Sequence, residues 1–269
     1  AQAVLALGFG LLPRRACSAW MSSDASSTIV DPEPACPPPL WAARLVATAR
    51  ARAGRTVYPP SDDTFLLLEV LAEDAVHLSA LAPQLCLEVG CGTGTLLAGL
   101  LLVLGGLHAQ DGNNNDGSSL AAMPMVVAVD KNPDAVACTR ALLEEQGASN
   151  VHAIQSSLTS GLRLEGRVDI GLCNPPYVPT DDPEEMQGCG IEVSWAGGDR
   201  GREVIDQLLP CIAGVIAPGG YFYLVCMAEN KPDEIMAAVR GHGLFAEVAR
   251  REQRGIEELF ILRFHRNCK

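Results

Sequence analysis

Leu85-Cys86-Leu87-Glu88-Val89-Gly90-Cys91-Gly92-Thr93-Gly94-Thr95-Leu96-Leu97 is a short apolar run, a turn with glycine at every second position, and a second apolar run. The stretch reads as a buried strand, a glycine turn and the start of a helix. Such a turn brings the backbone close to a nucleotide, because glycine lacks a Cβ and takes positive φ freely. The spacing is G-x-G-x-G. It departs from the dinucleotide fingerprint G-x-G-x-x-G because the third glycine comes one residue early. Glu88, a charge at the end of a buried strand, calls for a ligand or a partner.

Downstream, Met125-Val126-Val127-Ala128-Val129-Asp130 is a second buried strand ending in an acid. In nucleoside-binding α/β domains such an acid grips the ribose hydroxyls about 20 residues after the glycines. Here the interval is about twice that. The low-complexity run Asp111-Gly112-Asn113-Asn114-Asn115-Asp116-Gly117-Ser118-Ser119, read as part of a mobile insertion over 105–124, accounts for the excess. Asp130 could instead cap the helix starting near Asn132-Pro133, but its position and chemistry favour the ribose. Asp134 to Gln146 reads as an amphipathic helix closed by Gly147, and Val151 to Gln155 as a short strand followed by Ser156-Ser157-Leu158.

The next strand, Val168-Asp169-Ile170-Gly171-Leu172-Cys173, stops abruptly at Asn174-Pro175-Pro176-Tyr177. The two prolines have fixed φ and no N–H, so the backbone here is stiff and its carbonyls stay free. Asn174 adds a side-chain acceptor and Tyr177 a flat ring. This clamp suits a planar nitrogen carrying two N–H groups. The Asn174 oxygen and the Pro175 carbonyl each accept one N–H while Tyr177 stacks on the planar group. The pull on both hydrogens localises the nitrogen lone pair, steadies the positive charge that develops on attack, and aims it. The tetrapeptide alone also fits a plain turn, since Asn-Pro often starts one.

The remaining chain alternates in the same way. A polar segment from Thr180 to Arg202, long enough to be a loop on the substrate side, precedes a helix from Glu203 to Ala213. Gly219-Gly220 leads into a strand over Tyr221 to Cys226. A helix from Asp233 to Gly241 and two strand-like runs, Phe245 to Ala249 and Leu259 to Phe264, close the chain. Before the glycine turn, Ser61 or Asp62 caps a helix carrying a leucine face to about Val76. Strands alternating with helices predict an α/β fold. Its sheet is mostly parallel, with an antiparallel C-terminal hairpin at one edge and helices on both faces.

The 269 residues carry a net charge of −12 and are 48% hydrophobic, which suffices for one substantial core. The acidic balance argues against stable, sequence-independent nucleic acid binding, and no apolar run reaches a membrane span of about 18 residues. Ten cysteines and five histidines are scattered without C-x-x-C pairs, so a reducing compartment is expected, with neither disulfides nor a metal site. Residues 1–53 are rich in Ala, Arg, Ser and Pro and read as a disordered tail or a mis-assigned start, with a short helix over Leu40 to Arg52. The acid-free opening with Arg14 and Arg15 weakly resembles an organelle transit peptide. The folded domain is expected over 54–269.

Together these residues carry a resemblance. E-V-G-x-G-x-G, an acid after the second strand and N-P-P-Y after the fourth resemble the class I (Rossmann-like) S-adenosylmethionine-dependent methyltransferases acting on planar nitrogen. Tyr58-Pro59-Pro60-Ser61-Asp62-Asp63-Thr64-Phe65-Leu66-Leu67-Leu68, Cys173 to Val178, and Gly190-Ile191-Glu192-Val193-Ser194-Trp195-Ala196-Gly197-Gly198 with Gly201-Arg202-Glu203-Val204 narrow it. These stretches are similar to the eukaryotic HemK-like branch, over roughly residues 55 to 266.

The resemblance implies methylation of the glutamine in the Gly-Gly-Gln loop of a translation release factor, in the cytoplasm or also the nucleus. It implies S-adenosyl-L-methionine as cofactor and a small zinc-binding activator subunit that pairs along a sheet edge, for which Val151 to Gln155 is the candidate. It places Thr64, Glu88, Gly90, Gly92, Asp130, Ser157, Leu158 and Asn174 at the cofactor, and Asn174, Pro175, Pro176 and Tyr177 at the substrate. Where the family has Asp-Leu after the third strand, this chain has Ser157-Leu158, which predicts a weaker hold on the adenine amine. A histone lysine, a nucleic-acid adenine and a non-catalytic cofactor-binding scaffold are the competing expectations.

Overall fold

The computed structural model describes residues 38–110, 123–181 and 191–268. Its first element is a single turn, Leu40–Ala42, running into helix α1, Ala43–Ala53. Leu45, Val46, Ala49 and Ala53 face inward, and the Arg50 guanidinium donates to the Pro60 carbonyl at 2.9 Å. The packed domain therefore takes in the helix that composition had grouped with the tail. Its alanines and arginines are an apolar stripe and a solvated face. Helices α2, Asp62–Glu73, and α3, Ala75–Ala80, follow.

The sheet is built from β1, Leu85–Val89; β2, Met125–Asp130; β3, Val151–Gln155; β4, Val168–Cys173; β5, Ile216–Met227; β6, Phe245–Arg254; and β7, Glu257–His265. Its order is β3-β2-β1-β4-β5-β7-β6. Pairs from β3 through β5 are parallel, whereas β7 runs antiparallel to both β5 and β6. The C-terminal hairpin is thus an edge feature as expected, with its second strand tucked inside. All five residues of β1 are buried. Neighbouring strand residues point to opposite faces, so both faces of the sheet centre are covered.

The connecting helices are α4, Thr95–Gln110; α5, Pro133–Glu145; α6, Glu203–Val215; and α7, Pro232–Gly241. Helix α4 continues through Gly105 and Gly106, so the expected insertion starts later than 105; its residues 111–122 lie outside the described residues. The same holds for 182–190 of the polar segment after the clamp. Where Gly219-Gly220 was expected to lead into a strand from Tyr221, β5 already begins at Ile216 and bulges: Val168 pairs with Ile216 but Ile170 with Tyr221. No described helix is long and apolar enough to cross a membrane.

Chain order reverses between β1 and β4, since β1 leads outward to β2 while β4 leads the other way to β5. In open α/β sheets the crevice at the carboxyl ends of such a pair is where ligands bind. Glu88 to Gly92 and Asn174 to Tyr177 leave the sheet at that point.

Candidate active site

The glycine turn is fixed from below. Gly90 and Cys91 N–H groups both donate to the Val129 carbonyl, at 2.8 and 3.0 Å, and Gly94 N–H closes the turn on Cys91 at 2.7 Å. Gly90, Gly92 and Gly94 have φ of 75°, 49° and 80°, a region that disfavours any side chain. A Cβ on Gly92 would meet nothing within 4 Å, whereas one on Gly94 would lie 2.9 Å from Thr139 Cγ2. Gly92 therefore borders open space and Gly94 packs against α5. The fully buried Thr139 donates to the Gly92 carbonyl at 3.0 Å; a lone threonine inside a helix gave no sequence signal for this.

Two carboxylates flank the turn. Glu88 is 2% exposed and accepts from Leu97 N–H at 3.3 Å. Burial, with Asp130 adding to it, pushes its carboxyl well above the usual range, while the Leu97 N–H pulls it back. Asp130 accepts from Gly92 N–H and Asn132 N–H, both at 2.9 Å. Its carboxyl is also raised, by burial, against those N–H groups. Asp130 thus ties β2 to the glycine turn and keeps lone pairs to spare, while Asn132 takes the capping role by accepting from Asp134 N–H.

Ser157 is exposed just past β3, and Leu158 follows with φ 51°. The segment is anchored by Ser156 N–H on the Asp130 carbonyl at 2.9 Å, which brings it to the rim beside Asp130.

The clamp is held by Asp63, an acid in the first turn of α2. Asp63 Oδ2 accepts from Asn174 Nδ2 at 2.8 Å and from Tyr177 Oη at 3.1 Å. Its Oδ1 accepts from Thr64 N–H at 2.6 Å and Thr64 Oγ1 at 3.2 Å. A carboxylate only accepts, so the Asn174 amide must turn its nitrogen to Asp63. Asn174 Oδ1 is then left buried without a partner, a state that native sites rarely tolerate without a ligand. Pro175 and Tyr177 are buried, and burial pushes the Tyr177 phenol well up, helped by Asp63. The phenol therefore stays neutral and acts as a donor.

Thr64, Glu88, Gly90, Gly92, Asp130 and the tetrapeptide Asn174 to Tyr177 thus gather on one rim. The acceptors here fit a nucleoside joined to an amino acid: two carboxylates at the ends of adjacent strands suit ribose hydroxyls and an ammonium, and the Gly92 side is open. It equally fits a planar amine set against the unpartnered Asn174 oxygen.

No protein-family model matches the chain. It is 39% identical over 219 residues to the mouse methyltransferase HEMK2, covering 80% of this chain and 92% of the relative. It is 31% identical over 230 residues to the eRF1 methyltransferase catalytic subunit mtq2 of Schizosaccharomyces pombe, covering 82% and 94%. Among solved structures it resembles an E. cuniculi Mtq2–Trm112 complex chain with a TM-score of 0.52, at 24% identity over 79% of this chain and 99% of that one.

Proposed function

The chain belongs to the HEMK2 and Mtq2 family of methyltransferases, and on that premise we propose that its acceptor is a glutamine side chain. The methyl donor is S-adenosylmethionine, and the acceptor glutamine lies in the Gly-Gly-Gln loop of a peptide chain release factor. The observation that carries this reading is the buried, partnerless Asn174 Oδ1, turned outward by the Asp63 contact on Nδ2.

Bound S-adenosylmethionine supplies an electrophilic methyl group on a sulfonium. Asp130 would hold its ribose, Glu88 and the Gly90–Gly92 backbone the adjoining parts, Ser157 and Leu158 the adenine, and Thr64 and Asn174 the methionine side. Asn174 Oδ1 and the Pro175 carbonyl each accept one N–H of the glutamine amide. Tyr177 fixes the plane of that amide. Those two acceptors raise the nucleophilicity of an otherwise delocalised nitrogen and stabilise its positive charge on attack. No strong base is required before the bond forms.

The relative mtq2 is named as a catalytic subunit, and we assign the same arrangement here, with a small zinc-binding partner. Strand β3 is one of the two outer strands of the sheet, and among the described residues no further strand pairs with its far side, where the Ala153 carbonyl accepts from the Arg140 guanidinium at 3.1 Å. With Val151 and Ile154 half-buried beside it, that edge suits pairing with a strand of the partner.

The test is methyl transfer from labelled S-adenosylmethionine by the chain co-expressed with such a partner. Release factor, histone and adenine-containing DNA are offered side by side. Label on the release-factor glutamine is the expected result. Label on DNA or histone alone, or none despite cofactor binding, contradicts it.

A further inference from the structure

We propose that Asp63 is the positioning residue of the clamp, holding the Asn174 amide with its oxygen toward the substrate. The assignment rests on the glutamine reading above and specifies how that site is set. Four donors converge on this one side chain: Asn174 Nδ2, Tyr177 Oη, Thr64 N–H and Thr64 Oγ1. Thr64 Oγ1 is itself committed, because it accepts from Ser61 N–H at 3.4 Å and must donate to Asp63. Donors on both oxygens can be met only by a group that accepts on both, which is a carboxylate.

Asn174 by itself has no preference for which end of its amide faces the substrate. Rotated by half a turn, it would set an NH2 group against the glutamine NH2, donor against donor, and the clamp would repel the nitrogen it serves. Asp63 removes that choice. Its charge also polarises the Asn174 amide, which makes Oδ1 a stronger acceptor. Asp63 is 7% exposed and touches the substrate only through Asn174 and Tyr177, so it acts by placement.

The geometry specifies a reciprocal exchange. In Asp63→Asn, with the new oxygen kept on the Thr64 N–H, the new Nδ2 faces Asn174 Nδ2, and relief there comes by flipping Asn174 and turning its donor on the substrate. In the double variant Asp63→Asn with Asn174→Asp, the pairing between positions 63 and 174 is satisfied again, and only the Tyr177 hydroxyl changes from donor to acceptor at position 63. The Asn at 63 accepts from Thr64, its Nδ2 donates to the Asp at 174 and to Tyr177 Oη, and the second oxygen at 174 faces the substrate as an acceptor.

The experiment measures kcat for release-factor glutamine methylation and cofactor affinity by titration, using the chain with its partner subunit. The expected result for Asp63→Asn is a fall in kcat of about 100-fold, with cofactor affinity within about threefold of the original. The double variant is expected to recover at least about tenfold over Asp63→Asn, which a merely damaged fold would not do. Asp63→Asn as fast as the original protein overturns the assignment, and so does a double variant no faster than Asp63→Asn. Unaltered protein that binds cofactor yet leaves glutamine unlabelled overturns the glutamine reading itself, and the assignment with it, through a separate arm.

Discussion

Asn230 Nδ2 donates to the backbone carbonyl of Tyr177 at 2.7 Å, joining the end of β5 to the end of the clamp. The same nitrogen also donates to the Arg200 carbonyl at 2.8 Å, and Asn230 Oδ1 accepts from Met227 N–H at 2.7 Å. One fully buried side chain therefore fastens two loops to the sheet. The fit depends on Gly201, where a Cβ would lie 1.8 Å from the Tyr177 carbonyl oxygen.

Asn230→Ala is expected to destabilise the domain by about 2–3 kcal/mol, because it strands several buried polar groups at once. At a temperature where the variant remains folded, kcat should fall while cofactor affinity changes little, since the glycine turn is not attached to Asn230. Thermal unfolding and steady-state kinetics on the same preparation check both halves.

The glycines make opposite predictions. Gly94→Ala combines φ 80° with a Cβ at 2.9 Å from Thr139, and should cost roughly 2–4 kcal/mol and weaken cofactor binding. Gly105 sits in helix α4 with nothing within 4 Å of a Cβ. Gly105→Ala should stabilise by about 0.5–1 kcal/mol. Unfolding midpoints of the two variants decide the matter.

Ser157→Asp should tighten cofactor binding about fivefold, the difference between a neutral and a charge-assisted hydrogen bond to an amine. Calorimetric titration with S-adenosylmethionine tests it. Unchanged affinity would show that the residue past β3 does not reach the adenine.

Glu257, at the start of β7, has its carboxyl pushed up to about 7 by burial and then by Asp63, Glu229 and Asp62. A raised acid favours the folded state while protonated. Its stabilisation is therefore complete below the unfolded value near 4.5 and is lost as pH rises through about 7. Discounted for partial exposure, the effect is on the order of 1 kcal/mol, or about 2–4 °C in Tm. Glu257→Gln should melt higher than the original protein at pH 8 and at the same temperature near pH 4.

Much of the fold was legible because its signals are local. The strand–turn–helix of Leu85 to Leu97 and the Pro-Pro stop after Cys173 are written in consecutive residues. The strands were found, and the hairpin lies at the edge where it was expected. The weaker readings arose where composition stands in for packing. Ala43–Ala53 looked like tail because alanine and arginine are common in both tails and solvated helices, and only contact with Pro60 and the core separates the two. Asp63 and Asn230 act across 111 and 53 residues of chain, a separation no spacing rule spans. Asp63 did carry a hint, since two successive acids opened α2 where one would serve the helix dipole. Asn230 carried none.

The most direct test of the central claim separates binding from transfer in Asn174→Ala. The variant is expected still to bind S-adenosylmethionine within about tenfold of the original affinity. Methylation of the release-factor glutamine, followed by mass spectrometry of the Gly-Gly-Gln peptide, should fall by about 100-fold or more. Undiminished methylation of that glutamine by Asn174→Ala would contradict the account.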